Sequence, residues 1–240
     1  MTWSIVAKDP TTGHIGIAVT TCAFAVGARV PFIATGVGAI ASQAFVNPFY
    51  GLRGIELLKA GASASEVIGI VTASDEGRGD RQVHVMDMKG RFAAHTGDTC
   101  VPWAGHLVRD HFSVAGNMLA GPQVIEETAR VFAAEASIPF VRRFIAALQA
   151  GEAAGGDKRG RQSAAILIHD EEEYPLVDIR VDDHTEPLVE LARLEVVSRQ
   201  RYIHYRTCMP SRTNPSGIVG REEIERRIAE SMAKEASATA

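Results

Sequence analysis

The sequence predicts an α+β fold in which antiparallel sheets are covered by helices. Three observations carry this: strand-like runs come in consecutive pairs joined by short turns, helix-like runs also come in pairs, and the two do not alternate singly as βαβ units would. The chain has 240 residues, 46% hydrophobic and 22% charged. That is a globular composition, long enough for one large core plus a tail.

Residues Thr2 to Lys8 alternate in character and are joined by Asp9-Pro10-Thr11-Thr12-Gly13 to a run from His14 to Thr21 rich in Ile and Val, which reads as a β-hairpin. A turn centred near Thr11 makes facing residue numbers sum to roughly 22 or 23, which puts Thr2 opposite Thr20 or Thr21. Apolar runs near Val30 to Ala34 and Val37 to Phe45 add two strands. Asn47-Pro48 then supplies an N-cap and a first-turn proline for a helix that ends at Gly61. The sequence Ser63-Ala64-Ser65-Glu66 is a capping box for a second helix, ending near Ser74.

Val83 to Met88 and Phe92 to Thr96 flank Lys89-Gly90 as another hairpin, and His111 to Ala115 is a further short strand before a turn at Gly116-Asn117. Pro122 and Pro139 open a second helix pair, the latter running to Gly151. After a glycine-rich stretch, strands Ser163 to His169 and Pro175 to Val181 precede a helix from Pro187. Two sheets face to face with helices outside satisfy this grouping. Apolar periodicity weakens after Ser198, so the expected division is a domain over 2–198 and a charged, partly helical tail over 199–240, available as an oligomer contact.

Twenty-five basic and 29 acidic residues leave a net charge of -4, too balanced to attract nucleic acid. Three cysteines without CxxC spacing suggest neither a disulfide framework nor a zinc site and suit a reducing cytoplasm. No targeting or membrane-spanning pattern is visible. Neither a metal nor a cofactor is expected: His106 and His111 are off helical ligand spacing, and His184 has no second nitrogen ligand nearby. Gly36-Val37-Gly38 mimics a dinucleotide fingerprint but continues as strand, and Gly156 to Ser163 lacks the Lys of a phosphate loop. His95 and Cys100 bracket a four-residue loop that gives no reason for them to pair.

Thr2 carries a different chemistry. An alcohol is a weak nucleophile without an adjacent base, and an amino-terminal threonine exposed by removal of Met1 supplies its own α-amino group, with an ordinary pKa of about 7.7 to 8.0.

Several separated blocks bear on this: Thr2 to Ala7, Phe24 to Pro31, Gln43 to Gly51, Ala94-His95-Thr96-Gly97, Gly116 to Gly121, Gly155 to Ala164 and Val181 to His184. Together they resemble an Ntn-hydrolase-like family catalogued as a domain of unknown function, over Thr2 to about Ser198. The resemblance implies a four-layer αββα sandwich with the first strand central, and amide hydrolysis of a small-molecule substrate through an acyl-Thr2 intermediate. Under it, Asn117 is the candidate oxyanion donor. Thr20 and Thr21 could orient the Thr2 amine, while Gln43, Asn47 and His95 could line the pocket. Asp157, Arg159 and Arg161 either bind a substrate carboxylate or fix the glycine-rich loop by ion pairs. The competing expectation is an Ntn-like scaffold without catalysis, which binds a metabolite or builds a homo-oligomer.

Overall fold

The first residues, largely apolar and buried on both faces, form the central hairpin of a six-stranded antiparallel sheet. In a computed structural model, which describes residues 2–239, β1 (Thr2–Lys8) pairs with β2 (Ile15–Thr21) in a register whose numbers sum to 23, so Thr2 faces Thr21. The following strands β3 (Pro31–Ala34) and β4 (Gly38–Ala44) lead to helices α1 (Pro48–Lys59) and α2 (Ala64–Ala73). Strands β5 (Arg81–Met86), β6 (Phe92–Thr96), β7 (Gly105–Arg109) and β8 (Phe112–Asn117) come next, then helices α3 (Gln123–Ala134) and α4 (Phe140–Ala153). Last come β9 (Ser163–His169), β10 (Val177–Val181), α5 (Pro187–Ser198), the single turn α6 (Tyr202–Tyr205) and α7 (Arg221–Thr239).

The six-stranded sheet has the order β10-β9-β2-β1-β8-β7, and a four-stranded sheet has the order β3-β4-β5-β6. All strand pairs are antiparallel. Helix ends follow local chemistry. Asn47 accepts from the Phe49 N–H at 3.0 Å with Pro48 as the first helical residue, and Ser63 and Glu66 form a complete capping box. Two expectations need correction. Gly105–Arg109 is a strand that no apolar period announced, because as an edge strand it is half-exposed on both faces. Gly116 and Asn117 are strand residues and not a turn, since β8 continues to pair with β1 as far as Thr2↔Asn117; the left-handed residue is Met118, at φ 56°.

Strand periodicity decides which residues meet. Val6, Ile17 and Val19 of one sheet pack with Ala39, Ala41 and Met86 of the other. On the far side of the four-stranded sheet, Ile40, Val83 and Val85 join Tyr50, Leu58, Val67 and Val71 from α1 and α2. The opposite face of the six-stranded sheet receives α3 and α4 through Phe112, Phe132, Phe140 and Phe144, with ring centroids 4.7 to 6.3 Å apart. Gly16 permits this approach: a Cβ there would lie 2.5 Å from the Phe144 ring.

The contact pattern divides the chain into residues 1–191 and 192–240. In the second unit, His204 hydrogen-bonds Ser231 at 2.9 Å, and Arg201 pairs with Glu225 at 2.8 Å. Among the described residues no helix is long and apolar enough to cross a membrane.

Phe144 is fully buried at the centre of its aromatic cluster. Phe144→Ala is expected to lower unfolding stability by about 3–5 kcal/mol, read from urea denaturation. A loss below about 1 kcal/mol would mean that the cluster does not anchor α4 to the sheet.

Candidate active site

Because side chains alternate along a strand, Thr2 and Ser4 of β1 share a face with Thr21 of β2 and with Ser113, Ala115 and Asn117 of β8. That face meets the four-stranded sheet. The Thr2 and Thr21 hydroxyl oxygens are 3.0 Å apart, and Asn117 stands across from Thr2 on the other neighbouring strand. All three residues are buried.

Behind them lies a buried hydrogen-bond network whose polarity can be derived. Backbone carbonyls only accept. The Gln82 Nε2 group donates to Gly116 O at 2.8 Å and Gly105 O at 3.1 Å, so Gln82 Oε1 must face the other way. There it accepts from Gln43 Nε2 at 2.7 Å and from Asn117 Nδ2 at 3.0 Å. Gln43 Nε2 also donates to Ala115 O at 3.1 Å, and its Oε1 accepts the Ser4 hydroxyl proton at 2.6 Å.

With that proton committed, Ser4 Oγ accepts from His84 Nε2–H at 2.8 Å, which leaves Nδ1 to accept from Ser113 Oγ at 2.8 Å. In its neutral form His84 is thus the Nε2–H tautomer. Burial, with a smaller push from His106, holds its pKa down at about 3.

Two cavities adjoin these residues, one through Asn117 and the other through Thr21, and Thr2 itself is on neither wall. One, of about 330 Å³, has Ala44, Asp80, Cys100, Asn117, Met118 and Arg159 on its wall. Ala44 and Met118 hold left-handed backbone at φ 68° and 56°, a strain on the order of 1 kcal/mol each that concentrates at functional sites. Burial pushes the Cys100 thiol up, so it stays protonated, and it donates to Arg81 O at 3.4 Å.

The other cavity, of about 400 Å³, lies under the loop from Gly155 to Arg161 and reaches Trp3, Thr20, Thr21 and Glu152. Asp157 fixes this loop: its carboxylate accepts from the Cys22 N–H at 3.0 Å and the Arg159 N–H at 2.8 Å, and the Arg159 guanidinium is 3.3 Å away. Arg161 pairs with Glu152 at 3.2 Å and closely with Glu186.

The model of a family of unknown function, DUF1028, matches residues 2–191. The chain belongs to the DUF1028 family. A crystal structure of protein SPO2555 from Silicibacter pomeroyi, also assigned to DUF1028, is 32% identical to it with a TM-score of 0.85, covering 91% of this chain and 99% of that one. Anbu (ancestral beta-subunit) from Yersinia bercovieri superposes at a TM-score of 0.41 with 10% identity, covering 87% and 98% of the two chains. Curated proteins give no significant match.

Within the DUF1028 fold, Thr2, Thr21 and Asn117 come together, and Gln43 stands directly behind them. Thr20 faces away: it is paired with Trp3, and its hydroxyl donates to Ser163 O at 3.0 Å. Asn47 caps α1, with its amide on Asp75 at 3.1 Å. His95 bonds Arg78 O at 3.0 Å and lines neither of these cavities. Gln82 and His84 are the residues that reading the sequence missed. Their sole signal there was a pair of polar positions alternating with Val83 and Val85. Among the described residues no group of three His, Cys, Asp or Glu side chains is arranged to hold a metal ion.

The neutral His84 has a consequence for stability. The unfolded chain takes up this proton near pH 6.5 and the folded state only near pH 3, so the unfolded state binds more protons in between. The His84 contribution to stability is thus fully present above about pH 6.5 and is lost as the pH drops toward 3, with a ceiling of about 1.4 kcal/mol per pH unit. Urea midpoints measured from pH 7 to pH 4 are expected to fall more steeply in the wild type than in His84→Gln. Parallel curves would place the titrating group elsewhere.

Proposed function

We propose that this protein is an N-terminal-nucleophile amidohydrolase, an Ntn-type four-layer αββα sandwich that cleaves a C–N amide bond of a small metabolite. The observation that carries the reading is the position of the Thr2 hydroxyl. It sits at the start of the central strand, 3.0 Å from the Thr21 hydroxyl and across from the Asn117 amide. The layered packing supports the architecture, with sheet against sheet and a helix pair outside each.

In this mechanism removal of Met1 frees the Thr2 amine. Thr2 Oγ attacks the amide carbonyl carbon while its proton passes to the α-amino group, and the carbonyl π electrons move to oxygen. One Asn117 N–H is committed to Gln82, and the other is the donor offered to the developing oxyanion. Because the Gln82 amide is itself fixed on two backbone carbonyls, Asn117 is held with its nitrogen, not its oxygen, toward Gln82. Collapse of the intermediate breaks the C–N bond, and the ammonium returns its proton to the departing amine. Water then hydrolyses the Thr2 ester by the same route in reverse. Thr21 positions the Thr2 hydroxyl by direct contact.

Intact mass spectrometry of the purified protein should show loss of one methionine; retention of Met1 on protein from its native host would remove the base. With a panel of p-nitroanilides, Thr2→Ala should abolish turnover with unchanged circular dichroism. Asn117→Ala should lower kcat about 10²–10³-fold with KM nearly unchanged. Activity that survives Thr2→Ala would end this reading.

A further inference from the structure

We infer that the cavity under the Gly155–Arg161 loop is an anion subsite that takes the distal carboxylate of an acidic acyl group whose reacting carbonyl lies at Thr2. The inference rests on the proposed hydrolase reading for its reaction, but the binding site stands on its own geometry. The cavity, about 400 Å³, has Thr21 on its wall, and the Thr21 hydroxyl is 3.0 Å from that of Thr2. A molecule anchored there lies beside the nucleophile.

The charge of the wall selects the ligand. Three basic residues, Lys158, Arg159 and Arg161, and two acidic ones, Asp157 and Glu152, line the cavity, so the lining itself carries an excess of one positive charge, with Arg161 also paired to Glu186 from outside it. Asp157 is committed to the loop: its side chain is 2% exposed and accepts from two backbone N–H groups. It holds a backbone that turns through positive-φ glycines at Gly155, Gly156 and Gly160, and all three cations are on the cavity wall.

Glu152 is a weak counter-charge. Its buried Oε1 makes no hydrogen bond although Arg161 Nε is 3.2 Å away, and burial pushes its pKa up against the pull of Arg161. The wall also contains Trp3, whose buried Nε1–H has no acceptor. Guanidinium groups bind carboxylates through paired N–H donors, and Arg159 lies on the walls of both cavities, where the acyl chain would pass from one to the other.

The test uses full-length Thr2→Ala protein, which binds without reacting. Titration calorimetry should show succinate binding at least tenfold more tightly than neutral succinamide. Adding Lys158→Gln and Arg161→Gln should weaken succinate at least tenfold, with the melting temperature monitored to confirm folding. Arg161→Lys, which keeps the charge, should restore part of the affinity. Equal binding of succinate and succinamide, no binding of succinate, or affinity unchanged by the charge removals would overturn the subsite.

Wild-type turnover separates the two proposals. Succinate binding without cleavage of succinyl-p-nitroanilide keeps the subsite and ends the Thr2 reaction. Equal cleavage of succinyl- and butyryl-p-nitroanilide without succinate binding keeps the hydrolase and ends the subsite.

Discussion

The arrangement depends on one constraint: polar side chains trapped between two sheets must find all their partners within the protein. Where Ser4, Gln43, Gln82, His84, Ser113 and Asn117 meet, none is more than 2% exposed. A buried donor or acceptor left unpaired costs roughly 1–3 kcal/mol, so these residues are ordered as a set. The fixed points are backbone carbonyls of β7 and β8, which can only accept. From them the orientation of Gln82 follows, then that of Gln43 and Asn117, and finally the tautomer of His84. The network fastens the sheets together at the end where β1 begins.

This explains why a candidate nucleophile can sit at the first described residue of the chain and still be held firmly. Chain ends ordinarily fray unless tied down. Here β1 is hydrogen-bonded on both sides, by β2 and β8, so Thr2 has the support of an interior strand residue. The local strain at Ala44 and Met118, on strand ends beside the same cavity, falls next to the part of the molecule best able to hold it in place.

The Gly155–Arg161 loop adds a second layer of control. It connects α4 to β9, and glycine conformations let it fold over the ends of the central strands while Asp157 tethers it to Cys22, just past the end of β2. Sequence separation of 135 residues is bridged by one carboxylate accepting a backbone N–H. The loop's basic residues therefore come to the cavity as a fixed group, beside a hydroxyl pair contributed by the first hairpin.

Local patterns in the sequence determined the first hairpin, with Thr2 opposite Thr20 or Thr21, the Asn47 and Ser63 caps, and the grouping of strands and helices into an α+β fold, because each rests on contacts between segments close together in the chain. Alternation also marks which residues share a face, but it does not say whether that face meets water. The polar face of Arg81–Met86 reads as solvent-facing until a second sheet covers it, which is why Gln82 and His84 were not legible. For the same reason Asn117 was singled out but placed in a turn, as its strand pairing comes from β1, more than a hundred residues away. Thr20 and Thr21 looked equivalent until the register sent one toward the other sheet and the other toward the helices. What only the tertiary structure decided was which polar residues share a dry interface, since that depends on long-range packing with no trace in local periodicity.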